Sequence, residues 1–177
     1  MMRNSLAAAL AAMTLAAGSG VGPVLGQSAP AAAGHQPSDQ AEQIARRYVS
    51  AYSEADWDAM SALMSDDFIF TDRTSPELGG QEFDKDGTLA MFRQYETQGR
   101  IVGLFLDFPR VFSSNGVVVF SGHVNALSRT SDPDYGVRWR AEQVLILTVH
   151  DGQVVRHDDY ANYAAPVISR ERVEADQ

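Results

Sequence analysis

The apolar residues of this chain change period at Gly99. Before it they recur every three or four positions, as in Ala41, Ile44, Ala45, Tyr48 and Tyr52, the spacing of one helix face. After it they recur every two positions for about sixty residues, and only extended strands put alternate side chains on one face. Four such runs follow: I-V-G-L-F-L-D-F, G-V-V-V-F-S-G-H-V-N-A-L, V-R-W-R-A-E-Q-V-L-I-L-T-V and Q-V-V-R-H-D-D-Y-A. They are joined by S-S-N-G, S-D-P-D-Y-G and H-D-G-Q, which favour tight turns. In the first half, Ser38 or Asp39 caps a helix to about Ala55, Asp56 caps one over 56–65, and Asp84 or Asp86 opens a third through Tyr95 to about residue 97. Between them D-D-F-I-F-T-D reads as a short strand with Phe68, Phe70 and Asp72 on one side. Residues 73–84 are a Pro/Gly-rich loop. Helices first and an antiparallel meander after predict an α+β fold, with about three N-terminal helices on one face of a curved antiparallel sheet.

At 177 residues the chain can build one full core but not two. Its formal net charge is −9 and it carries no basic stripe, which argues against nucleic acid as a partner. Residues 1–26 carry Arg3, then an uncharged apolar run, then small residues, the pattern of a cleaved signal peptide. Periplasmic or secreted localisation follows, with no stable membrane anchor after cleavage. The chain has no Cys, so no thiolate chemistry and no disulfide is available. Residues 27–38 read as a disordered linker, 39–166 as the folded domain and 167–177 as a polar C-terminal tail.

Alternation then sorts side chains onto faces. On the strand through 117–127, His123 and Asn125 share a face with Val119 and Ser121. On the next, Trp139, Ala141, Gln143, Leu145 and Leu147 form the apolar face, and Arg138, Arg140 and Glu142 the other. On the last, His157 and Asp159 share a face with Val155 and Ala161. If these faces turn toward the helices, they enclose a cavity with a polar lining of Asp72, His123, Asn125, Gln143, His157 and Asp159. Phe70, Trp139 and the helix-one aromatics supply its walls. A mostly apolar cavity with few polar groups suits a small apolar molecule. Structural readings stand beside this one: Asp72 capping its loop, His123 as a packed histidine, and His157 and Asp159 as a strand end. No compact metal-ligand motif occurs, so neither metal nor cofactor is expected. The mixed outer face of Arg138, Arg140, Glu142, Val144 and Ile146 suggests a homodimer.

The segments A-Y-S-E-A-D-W-D-A-M-S-A-L-M-S-D-D-F-I-F-T-D and G-Q-V-V-R-H-D-D-Y-A-N-Y resemble the nuclear transport factor 2-like superfamily, specifically SnoaL-like proteins, over about residues 39–166, and that resemblance implies a cone-shaped barrel of a curved antiparallel sheet packed against about three N-terminal helices. The front half looks like ketosteroid isomerase. That resemblance puts Tyr48 at an oxyanion-hole Tyr and Asp72 at a general base, while the second donor position falls near Val144 or Leu145. The back half is similar to limonene epoxide hydrolase, with His123 in place of an Arg, Asn125 in place of an Asp, and Asp159 on the second Asp. SnoaL cyclases use a single acid/base Asp at about Asp159. What these resemblances imply is cofactor-independent acid/base chemistry of isomerase, lyase or hydrolase type, with Asp72 or Asp159 as base and His123 or Tyr48 as acid or donor. A non-catalytic carrier or sensor using the same cavity is the alternative.

Overall fold

The computed structural model describes residues 38–98, 103–132 and 134–172. Three helices come first in the chain: α1 (Ser38–Ser53), α2 (Trp57–Leu63) and α3 (Lys85–Thr97). Seven strands form one sheet: β1 (Met64–Asp72), β2 (Glu82–Asp84), β3 (Gly103–Ser114), β4 (Val117–Arg129), β5 (Tyr135–His150), β6 (Gln153–Ala161) and β7 (Val167–Arg172). The strand order is β2-β1-β6-β5-β4-β3, with β7 pairing β5 off this path. No described helix is long and apolar enough to cross a membrane.

Local chemistry sets the helix ends. Asp56 accepts from Ala59 N at 3.0 Å and Asp84 accepts from Gly87 N at 2.8 Å, each satisfying an amide that the first turn leaves free. On α1, Ala41, Ile44, Ala45, Tyr48 and Ala51 are buried, so the 3.6-residue stripe is the face laid on the sheet. It packs with Met60 and Met64, with Phe68 and Phe70 of β1, and with Val118, Phe120, Leu145 and Leu147. Phe68 is fully buried, and withdrawing a side chain of that size from water contributes about 1.5–3 kcal/mol.

The sheet departs from the expected meander in four places. β1 pairs β6 in parallel, with Phe70 opposite His157 and Asp72 opposite Asp159. The helix α3 and three long strands intervene between them, so β1 and β6 need no hairpin between them and can run the same way. Glu82–Asp84, expected in a loop, forms β2 against Ile69–Thr71. Val167–Arg172, expected in a polar tail, forms β7 against Tyr135–Arg140. That strand leaves Val167 and Ile168 exposed, so no buried stripe marks it in the sequence. The fourth departure is phase. β3 bulges between Asp107 and Arg110, opposite Gly122. A Cβ on Gly122 would lie 1.9 Å from the Asp107 carbonyl oxygen, so only glycine allows β4 to pass the bulge. A second irregularity between Thr148 and Val149 of β5 shifts β6, so Val154 rather than Val155 is buried on the inner face.

Candidate functional site

Between the helices and the inner face of the sheet lies a cavity of about 640 Å³. Tyr52 and Trp57 border it from α1 and α2, Met91, Phe92 and Tyr95 from α3, and Phe70 from β1. Leu104, Val124, Ala126 and Trp139 close it from β3, β4 and β5. The rings pack in groups. Phe92 stacks on Tyr52 at 5.0 Å and on Trp57 at 5.5 Å, and Tyr163 stacks on Trp139 at 5.4 Å. Three polar side chains of the sheet end reach the lining: Asp72, Gln143 and Asp159.

Asp159 is 4% exposed and takes two bonds on the same oxygen. Gln143 Nε2 donates to Oδ1 at 2.8 Å, and His157 Nε2 lies 3.0 Å from it. Behind His157, its Nδ1 meets the Tyr48 hydroxyl at 3.1 Å. Tyr48 and His157 are both wholly buried. Burial, and after it the negative charge of Asp159, holds the Tyr48 hydroxyl far above its ordinary pKa. Tyr48 therefore keeps its proton and, where Nδ1 carries none, donates to it. A neutral imidazole with an acceptor at Nδ1 carries its proton at Nε2, aimed at Asp159. The result is a directed chain, Tyr48 to His157 to Asp159, drawn from α1 and β6. Phe70 packs edge-on against the imidazole at 5.0 Å and Tyr52 at 5.6 Å, fixing the ring plane.

Asp72 is held differently. Its Oδ1 accepts from the backbone amides of Thr74 at 3.0 Å and Ser75 at 2.8 Å, and from the Thr74 hydroxyl at 3.4 Å. Its Oδ2 accepts from the Tyr163 hydroxyl at 2.5 Å. Burial first, and then this bond, pushes the Tyr163 hydroxyl up in pKa, so it stays the donor. Thr74 Oγ1 in turn accepts from Ala161 N at 2.8 Å, tying the loop after β1 to the end of β6.

Of the expected site residues, Asp72, Asp159, Gln143, Phe70 and Trp139 border the cavity. Tyr48 and His157 stand behind Asp159 and do not reach the lining, so Tyr48 is no oxyanion donor to a guest. His123 and Asn125 are corrections. They pair with Glu142 and Arg140 on the outer face, and Asn125 Nδ2 donates to the Phe105 carbonyl at 3.2 Å. The inner residues of β4 are Val118, Phe120 and Val124. The run V-V-V-F is apolar at every position, so alternation alone leaves its phase open. Tyr163, Trp57 and Tyr95 were missed as cavity residues. Tyr163 lies beyond the last strand, where period-two reasoning stops, although its place in D-D-Y-A-N-Y was visible. Among the described residues no group of three His, Cys, Asp or Glu could hold a metal ion.

A family model for the SnoaL-like domain matches residues 45–157. Solved structures with the same fold include a candidate SnoaL-like polyketide cyclase from Shewanella denitrificans, with TM-score 0.60 and 16% identity over 70% of this chain and 91% of that one. An LEH-like epoxide hydrolase of M. tuberculosis aligns with TM-score 0.57 and 17% identity, over 72% of this chain and 86% of that one. A candidate ketosteroid isomerase from Kribbella flavida aligns with TM-score 0.53 and 20% identity, over 72% of this chain and 82% of that one. At such identities these likenesses establish the fold. No curated protein matches the sequence. With an α+β cone of three helices on a seven-stranded sheet and a family match over most of it, this chain belongs to the SnoaL-like domain family.

Proposed function

We propose that the cavity binds a small, mainly apolar molecule and that Asp159 moves a proton on it, without cofactor or metal. One observation carries this reading: the hydrogen-bonded chain Tyr48–His157–Asp159–Gln143 ends on a carboxylate at the cavity wall. Both bonds to Asp159 fall on Oδ1, which leaves Oδ2 to accept a substrate proton. His157 donates to Oδ1 and holds the carboxylate plane, and Tyr48 holds His157 in the tautomer that can do so. Asp159 takes a proton from a carbon or water in the cavity and returns it to a neighbouring atom or leaving group. Isomerase, lyase and hydrolase chemistry all use this step. Tyr48 and His157 are positioning residues in this scheme, since neither lines the cavity.

A ligand carrier or sensor is the second reading, favoured by Asp72. Each of its oxygens is engaged by the protein, so the site offers one available carboxylate rather than a pair. A screen of small carbonyl compounds and epoxides against the wild-type chain and Asp159→Asn tests the first reading. Turnover that disappears in Asp159→Asn supports it. Tight binding with no turnover of any compound selects the carrier.

Export and dimerisation complete the proposal. Residues 1–26 act as a signal peptide, placing the folded domain in the periplasm or outside the cell; this segment lies outside the described residues. Two copies associate through the outer sheet face, where Phe105 is 51% exposed beneath the Arg138 guanidinium and Val167, paired with Arg140, is 64% exposed.

A further inference from the structure

Tyr52 follows Tyr48 by one turn of α1, but the two phenols end in different places. Tyr48 is wholly buried and its hydroxyl meets His157. Tyr52 borders the cavity. Its ring is set by three neighbours: Phe92 stacked at 5.0 Å, Trp57 tilted at 6.4 Å and His157 edge-on at 5.6 Å. A ring packed on these sides has little freedom to turn, so its hydroxyl points one way.

No described residue hydrogen-bonds that hydroxyl, and it is not sealed away either: among the described residues Gln143 Oε1 is the sealed side-chain polar atom without a partner. Other donors of the wall are engaged by the protein. Asp72 takes the Tyr163 hydroxyl, Glu96 takes the Trp57 indole N–H at 2.7 Å, and Asp159 takes the Gln143 amide. Burial, and after it the negative charge of Asp159, raises the Tyr52 hydroxyl well above its ordinary pKa, so it stays a neutral donor. Tyr48, Tyr163 and Asp72 act on it next, which puts the hydroxyl at the acid end of the cavity. A group this deep that is not sealed opens onto the cavity its ring borders.

We infer that Tyr52, and not Tyr48, is the hydrogen-bond donor that meets the ligand, on an oxygen beside the atom from which Asp159 Oδ2 takes a proton. This deepens the proton-transfer reading of the cavity and rests on it. An anionic acceptor would meet the charges of Asp159 and Asp72 at the same end, so the ligand class is a neutral molecule with an acceptor oxygen on an apolar body. Written on a ketone, the step balances. The proton of a C–H next to the carbonyl passes to Asp159 Oδ2, and the C–H electron pair becomes the C=C bond of an enolate. The carbonyl π pair moves onto oxygen, where the Tyr52 O–H holds the charge, and the reverse step returns the proton to carbon.

The test uses 1-indanone and indane, a ketone and a hydrocarbon of one shape, on the full chain and on its Tyr52→Phe and Tyr48→Phe variants. The Tyr52 hydroxyl leaves no protein partner stranded, so Tyr52→Phe is expected to keep the wild-type melting temperature. Titration calorimetry should show it binding 1-indanone about three- to tenfold more weakly and indane unchanged. Infrared spectra should show the bound carbonyl band lowered in the wild type and in Tyr48→Phe, and back at its unbonded position in Tyr52→Phe. In heavy water, exchange of the hydrogens next to the carbonyl, followed by NMR, should slow by about 10²–10³-fold in Tyr52→Phe. No binding of 1-indanone at millimolar concentration, or a carbonyl band and affinity that Tyr52→Phe leaves unchanged, overturns the inference. Its failure is distinct from failure of the Asp159 reading. A carbonyl shift that needs Tyr52, with exchange indifferent to Asp159→Asn, would keep the donor and sink the base. Exchange that needs Asp159, with rate and carbonyl band untouched in Tyr52→Phe, would do the reverse.

Discussion

Asp72 and Asp159 sit opposite each other on paired strands, and both touch the same cavity. Their surroundings differ. Asp72 spends one oxygen on backbone amides two and three residues ahead and the other on Tyr163. Asp159 lies within β6; its partners are side chains of β5 and β6, and both use one oxygen. The first arrangement is that of a carboxylate that shapes a turn. The second is that of a carboxylate held in place with one oxygen left open. Two acids at equivalent register positions can therefore serve different purposes, and the difference lies in which atoms they touch rather than in how deep they sit.

Substitution can break that contrast most sharply at Asp159. Asp159→Asn keeps the shape and removes the proton acceptor, so turnover should fall by about 10²–10⁴-fold while affinity and melting temperature change little. The same kinetic loss in Asp72→Asn would erase the distinction. At Asp72 the expected loss is structural: Asp72→Ala strands two loop amides and the Tyr163 hydroxyl, and chemical denaturation should show about 1–3 kcal/mol less stability. A smaller effect is expected behind Asp159. Tyr48→Phe removes the donor to His157 Nδ1 and should cost about 1 kcal/mol in stability together with a several-fold drop in kcat at unchanged KM.

The smallest effect is one of pH. Tyr48, Tyr52 and Tyr163 all have folded pKa values raised above those of the unfolded chain, chiefly by burial. Their contribution is fully present below the unfolded tyrosine range of about 10 and is lost as pH rises beyond it, because the unfolded chain then releases protons that the folded one retains. Ultraviolet titration should show these phenols ionising late, and melting temperature should decline above about pH 10. Early ionisation of every tyrosine would mean that the chain behind Asp159 is open to water.

What could be read from the sequence follows the same line between local and non-local causes. Two of the helices, α2 and α3, begin at capping aspartates, and α1 carries a clear apolar stripe, so the positions of all three lie close to expectation. The inner face of β5 was legible because Trp139, Ala141 and Gln143 alternate with Arg138, Arg140 and Glu142. The inner face of β4 was not, because Val117–Phe120 is apolar on both sides and Gly122 faces a bulge in another strand. That misphasing carried His123 and Asn125 into the expected site. The chain through His157 to Tyr48 joins residues 109 positions apart and leaves no local signal. Asp72 shows the limit from the other side: its role as a loop cap is local, and the sequence already offered it.

The parallel pairing of β1 with β6 also constrains the order in which the molecule can assemble. Ala161 donates to Thr74, 87 residues earlier, and Asp72 faces Asp159 across the same seam. Contacts of that separation carry a large loop-closure cost and form slowly relative to helices and hairpins. During synthesis β1 waits for almost the whole domain before its partner exists. The cavity wall bearing both acids is then among the last parts of the protein to close, and a chain truncated before Gln153 would keep its helices and the β3–β5 meander yet have no site.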